Sequence, residues 1–217
     1  MATQQPAQRE PRWPAFIALV AVGLLNTALP ATLVLGPKQL VTVVVILLLV
    51  PALVASQRGN TEIPKVLFLI ALAVVTLSLA GSVALLVAGV IHKIETPLQL
   101  LVSAALLWVS NVLVFASWYW KLDAGGPAAR ELQGSHQDGA FLFPQMALDP
   151  EVREKMGEQD WRPGFIDYLF LAFNTSTAFS PTDAPVLSAW AKALMMVQAS
   201  ISLLTLALLA ARAVNIL

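Results

Sequence analysis

The chain has 217 residues, of which 58% are hydrophobic and only 12% charged, with no cysteine. Soluble domains carry about 25% charged residues, so charge alone makes a soluble enzyme a poor fit, and the lack of thiols excludes disulfides, Cys nucleophiles, Fe–S clusters and zinc–thiolate sites. Thirteen basic and thirteen acidic side chains cancel, leaving no excess for nucleic acid and no polybasic patch for a membrane surface.

Residues 14–37, 39–57, 66–91 and 97–120 contain no Asp, Glu, Lys or Arg. Each stretch is about 19 to 26 residues long, close to the roughly 20 that cross a bilayer core of about 30 Å. A soluble core helix keeps a polar face, and these do not. Ionisable groups are confined to the joints: Lys38; Arg58, Glu62 and Lys65; His92, Lys93 and Glu95. Charge in hydrocarbon is costly, so this segregation predicts four N-terminal membrane spans over residues 14–120, after a tail over residues 1–13.

Arg9 and Arg12 ahead of the first stretch give it the look of a signal peptide. The run is long for that role, and the small-residue site at Ala28–Ala31 places Pro30 beside the cut, so a retained helix is predicted. Trp13 at its start and Trp118, Tyr119 and Trp120 at the end of the fourth stretch suit headgroup-level anchors. Pro30 and Pro51 are expected to kink helices. Ser78, Gly81, Ser82 and Gly89 give the third stretch small-residue faces for close packing. Asn26, Ser110 and Asn111 suit interhelical hydrogen bonds ahead of a permeation path.

Residues 121–163 change character to a hydrophilic loop, with eight acidic against five basic side chains. Asp149-Pro150-Glu151, followed by Arg153 and Lys155, carries the signals of a short helix start. Phe141-Leu142-Phe143 is an apolar patch expected to tuck back against protein or the membrane interface. Forty-odd residues are too few for a catalytic domain. His136 beside Asp138 falls short of the three or four ligands a metal site needs. Gly125-Gly126-Pro127 lacks the strand and the lysine of a phosphate loop. No enzyme, metal or other cofactor is expected.

The C-terminal 54 residues, 164–217, hold the functional candidates. Residues 164–177 are apolar first and hydroxyl-rich last, ending in Asn174-Thr175-Ser176-Thr177. As a helix they reach only about 20 Å. Ser180-Pro181-Thr182-Asp183-Ala184-Pro185 cannot stay helical, and residues 186–217 are long enough to span. Half-length helix, polar turn, full-length helix is the order of a re-entrant loop followed by an inner helix, because non-helical backbone at membrane depth must be shielded by protein or line water.

That order resembles the pore loop and inner helix of the potassium-channel superfamily. Asp167-Tyr168-Leu169-Phe170 and Phe173 look like its pore helix, Ser176 to Asp183 stand in the filter position, and Met195 to Arg212 look like its inner helix. The chain also resembles an uncharacterised bacterial polytopic membrane-protein family with Ala-Phe-Ser-Pro-Thr-Asp before its last helix. The filter is degenerate. No glycine follows Gly164, whereas the channels' carbonyl ladder depends on glycine backbone freedom, and Pro181 stands where the filter's tyrosine would be.

The resemblance implies a cation-conducting, ion-channel-like protein of the bacterial plasma membrane. Its ion-path candidates are Asn174, Thr175, Ser176, Thr177, Ser180, Thr182 and Asp183, with Gln198 and Ser202 on the inner helix. Ser180 and Asp183 equally suit helix caps. One loop and one helix cannot enclose a pore, so a homo-oligomer is implied. The expected partners are the lipid bilayer, further copies of the chain and a monovalent cation, with no nucleic acid. The alternative is a non-conducting membrane scaffold or partner subunit that binds through residues 121–163. Orientation stays open: Arg9, Arg12, Arg58 and Lys65 against Lys38 and Lys93 favour an internal N-terminus by only two charges, which puts the acidic loop inside, opposite to a potassium channel, unless residues 164–180 cross as well.

Overall fold

The computed structural model describes residues 10–58, 60, 62–92, 96–133, 139–159, 161–177 and 184–216. Among these the protein is all-helical, with no strand beyond one isolated bridge between Phe141 and Val186. In chain order the helices are α1 (Trp13–Ala28), α2 (Leu40–Gln57), α3 (Glu62–His92), α4 (Pro97–Leu122), α5 (Pro127–Gln133), α6 (Pro150–Lys155), α7 (Phe165–Thr177) and α8 (Ala189–Ile216). Four of them, α2, α3, α4 and α8, carry apolar stretches long enough to cross a membrane. This is the helix content of a multi-pass membrane protein.

The first apolar stretch is shorter as a helix than its lack of charge suggests. α1 has 16 residues, about 24 Å. Pro30 ends it instead of kinking it: the residue before a proline is pushed out of the helical region, and Leu29 is extended at φ −69°, ψ 151°. A 3₁₀ turn over Ala31–Leu33 and Gly36 at φ +86° then lead into α2. Pro51 does lie inside α2.

α4 is the central helix, in contact with α1 and α3 on one side and with α7 and α8 on the other. Its start is fixed by a capping box, in which Gln99 N donates to Thr96 Oγ1 (3.3 Å) and Thr96 N to Gln99 Oε1 (3.0 Å). Its end is fixed by backbone sterics. Ala124, Gly125 and Gly126 all have positive φ, and a Cβ on Gly126 would sit 2.6 Å from the Lys121 carbonyl oxygen. Glycines at 125 and 126 therefore serve a sharp turn out of α4.

On the α1–α3 side, small and polar residues set the contacts. A Cβ on Gly23 would lie 3.0 Å from the Thr42 Cα, so α1 and α2 approach closely there. Asn26 Nδ2 donates to Ser78 Oγ across α1 and α3 (3.0 Å), the interhelical role predicted for it. Gly81 packs against Leu35, whose Cδ1 would lie 2.3 Å from an added Cβ, whereas the buried Gly89 has room for one.

The loop after α4 folds onto the bundle. Phe141 and Phe143 are buried in an aromatic cluster with Tyr119, Trp161, Tyr168 and Trp190 at centroid distances of 5.2 to 6.4 Å. The expected tucked-back patch is thus buried against protein. Tyr119 and Trp120 are buried with it, at 0% and 2% exposure. They are core residues, not headgroup anchors, whereas Trp13 is 63% exposed. The short helix signalled by Asp149 and Pro150 forms as α6.

Candidate functional site

The C-terminal unit is built around one carboxamide. Gln198 of α8 is fully buried. Its Nε2 donates to the Ala172 carbonyl (2.6 Å) and to Ser176 Oγ (2.7 Å) on α7, and its Oε1 accepts from the Tyr119 hydroxyl of α4. One turn further along α8, Asn111 Nδ2 of α4 donates to Ser202 Oγ (2.8 Å) and to the Gln198 carbonyl (3.1 Å). In a medium with no water to satisfy polar groups, such bonds set which helix faces meet. Gln198, with Asn111, therefore fixes the rotation of three helices at once.

These contacts also set depth and direction. Phe141 touches both Tyr168 near the start of α7 and Trp190 near the start of α8, while Ser176 and Gln198 meet further along. The two helices thus begin at the same end of the bundle and run parallel. At its far end α7 comes beside Trp108, whose Nε1 donates to the Ser176 carbonyl (3.5 Å) and whose ring lies 5.8 Å from Phe173. Trp108 is near the middle of the 26-residue α4.

The sequence-predicted residues divide accordingly. Thr175, Ser176, Thr177 and Ser202 line one open cavity of about 200 Å³, together with Ser200. Gln198 is the clamp behind it, with both carboxamide atoms spent inside the chain. Asn174 is half-buried on α7. Ser180, Thr182 and Asp183 lie outside the described residues, as do His136 and Asp138. Ser200 was missed. Its hydroxyl falls one helical turn after Met196, and nothing in an apolar run marks which face will meet the end of α7.

A second polar cluster closes the end of the bundle where α7 and α8 start. Arg130, 4% exposed, donates to the carbonyls of Trp120 (2.9 Å) and Asp123 (2.8 Å) and forms a two-pronged pair with Glu10 (2.9 and 3.1 Å). The buried Asp123 carboxylate accepts from Ala140 N and from the Tyr168 hydroxyl (2.6 Å). Arg12 adds an ion pair with Glu131 at 3.2 Å. This network joins residues 10–12, the loop and α7. It is not legible in the sequence, because the bonds that tie it together, Tyr168 to Asp123 and Arg130 to Glu10, join residues 45 and 120 positions apart. Among the described residues no group of three or more His, Asp or Glu side chains is placed to hold a metal.

No family model matches this chain, and neither a curated protein nor a solved structure matches it.

Proposed function

We propose that this protein is an oligomeric, channel-like pore for monovalent cations in the plasma membrane, with α7 and the segment after it as a re-entrant loop and α8 as the inner helix. One observation carries the proposal. The 13-residue α7 starts at the same end of the bundle as α8, reaches only the middle of α4, and presents Thr175, Ser176 and Thr177 there. Val186, ahead of α8, pairs with Phe141 at the end where α7 begins. A hydroxyl-rich helix end at mid-depth supports this reading, since irregular backbone inside a bilayer must line a cavity or be shielded by protein. The outward face of α8, with Met196, Val197 and Leu203 more than half exposed, is available to lipid and to further copies. The resemblance to the potassium-channel pore loop supports the same order of elements, without its glycine filter.

Flux of monovalent cations into liposomes holding the purified full chain tests the proposal. Flux that falls on Thr177→Ala and Asp183→Ala is the expected result. No flux for any monovalent cation, or flux indifferent to both changes, refutes it.

A non-conducting scaffold is the second reading, favoured by the exposure of Leu132 (89%) and Met156 (63%) beyond α4. Stoichiometric cross-linking of a partner through these two positions, with no flux, selects it.

A further inference from the structure

The end of the bundle where α1 and α3 start and α2 and α4 finish is also where basic side chains gather. Arg12 stands immediately ahead of α1, Lys65 in the first turn of α3 and Lys121 in the last turn of α4. Contacts place them at one level. Arg12 Nη1 donates to Ser56 Oγ near the end of α2 (3.3 Å), and Lys121 Nζ lies 5.5 Å over the ring of Phe68, three residues after Lys65. No run of the sequence is polybasic; the fold assembles the group from positions 12, 65 and 121.

The arginines at this end are spent and the lysines are not. Arg130 is taken up by Glu10 and two carbonyls, and Arg12 by Glu131 and Ser56. Those are the two ion pairs among the described residues, and neither Lys65 nor Lys121 belongs to one. Lys65, Arg12 and Arg130 all act on the Lys121 ammonium electrostatically, with Glu62 as the opposing carboxylate. Lys121 is half-buried and its ammonium rests on the Phe68 ring, which keeps it in that field. Like charges repel, and an anion between Lys65 and Lys121 relieves the repulsion. A lysine ammonium is a compact point charge with three donors, which suits a phosphate.

What lies below the lysines narrows the anion to a lipid. Leu69 and Ala73 follow Lys65 along one face of α3 at four-residue spacing, the first half-buried and the second exposed. On α4, one turn below Lys121, the half-buried Trp118 donates from Nε1 to Thr76 Oγ1 of α3 (3.0 Å). Trp118 thus bridges the seam between α3 and α4 beneath the two ammoniums. A free phosphate ion uses none of this apolar surface, whereas a phospholipid lays its phosphate on the lysines and an acyl chain along the seam. Basic pockets between membrane helices at headgroup depth recognise anionic lipids in this way. A zwitterionic headgroup brings its own ammonium into a field that already repels cations.

We infer that Lys65 and Lys121, with the apolar seam between α3 and α4 beneath them, form a binding site for the phosphate of an anionic phospholipid. The site goes beyond the pore proposal and stands or falls without it.

The measurement is equilibrium binding of radiolabelled dioleoylphosphatidylglycerol to the purified full chain in dodecylmaltoside micelles. Unlabelled dioleoylphosphatidylcholine and inorganic phosphate serve as competitors. The expected result is saturable binding that neither competitor displaces. Lys65→Gln with Lys121→Gln should weaken it by about tenfold or more. The exposed Lys65→Gln alone should weaken it by a smaller factor, in a variant whose fold is not at risk. Lys38→Gln with Lys192→Gln makes the same change in net charge away from the seam and should leave the affinity unchanged. No saturable binding to the parent chain, or equal affinity in the two double variants, overturns the site. Displacement by phosphatidylcholine as effective as by unlabelled phosphatidylglycerol reduces it to an apolar groove, and displacement by inorganic phosphate reduces it to a simple anion site. Either result overturns the phospholipid.

Discussion

Gln198→Leu is the substitution from which the packing of the C-terminal unit predicts most. Leucine is apolar and close to glutamine in size, so cavity formation contributes little. What is lost is three hydrogen bonds: to the Ala172 carbonyl, to Ser176 Oγ and from the Tyr119 hydroxyl. Bonds between membrane helices average about 0.6 kcal/mol each, which gives roughly 2 kcal/mol for three, and a buried Tyr119 hydroxyl left without a partner adds about 1 kcal/mol. The expected loss is therefore roughly 3 kcal/mol. Unfolding of the purified chain in mixed micelles, titrated with denaturing detergent, measures it. A double-mutant cycle adds specificity. Tyr119→Phe in the Gln198→Leu background should cost less than in the parent, because the hydroxyl it removes is already stranded, and the coupling should exceed about 0.5 kcal/mol. A Gln198→Leu chain within about 0.5 kcal/mol of the parent, or a cycle with no coupling, would show that the carboxamide does not hold α4, α7 and α8 together.

Two further substitutions probe how α4 ends and how that end is closed. Gly126→Ala places a methyl group 2.6 Å from the Lys121 carbonyl oxygen at φ +89°, and should lower stability by about 1–3 kcal/mol; Gly157→Ala, with positive φ but nothing within 4 Å of the added carbon, should cost less in the same titration. Arg130→Met removes the guanidinium partner of a Glu10 carboxylate held in a site where that guanidinium is 4% exposed, leaving Trp120 Nε1 as its side-chain donor, for an expected loss of about 3–5 kcal/mol. Arg12→Met, in a pair whose side chains are 26% and 20% exposed, should cost at most about 1 kcal/mol, and equal losses for the two arginines would refute the burial-based distinction.

Much of the fold could be read from where charge is missing. α2, α3, α4 and α8 fall in uncharged or nearly uncharged runs, because every Asp, Glu, Lys and Arg in hydrocarbon carries a cost that few sequences tolerate. The length of α1 was less legible: the run over residues 14–37 is apolar throughout, yet Pro30 divides it, and apolarity says nothing about backbone continuity. Polar residues inside the helices were legible as a set and ambiguous one by one. Asn26 and Asn111 form the interhelical bonds their residue type suggests. Gln198 was read as an ion-path residue because a lone amide in an apolar helix serves equally as lining or as clamp. Which it does depends on whether Tyr119, Ala172 and Ser176 stand around it, a question of tertiary packing. The same holds for Tyr119 and Trp120, whose place at the end of a span matches a headgroup anchor but whose faces turn toward Phe141 and Phe165.

A re-entrant α7 requires that α7 and α8 start from the same face of the membrane. The chain has no cysteine, so single introduced cysteines report without background. Gln159→Cys before α7 and Leu187→Cys before α8, both exposed, should be modified by a membrane-impermeant maleimide from the same side of sealed vesicles, and Gln39→Cys at the opposite end of the bundle from the other side. Modification of positions 159 and 187 from opposite sides would mean that α7 crosses the bilayer, and would contradict the re-entrant arrangement directly.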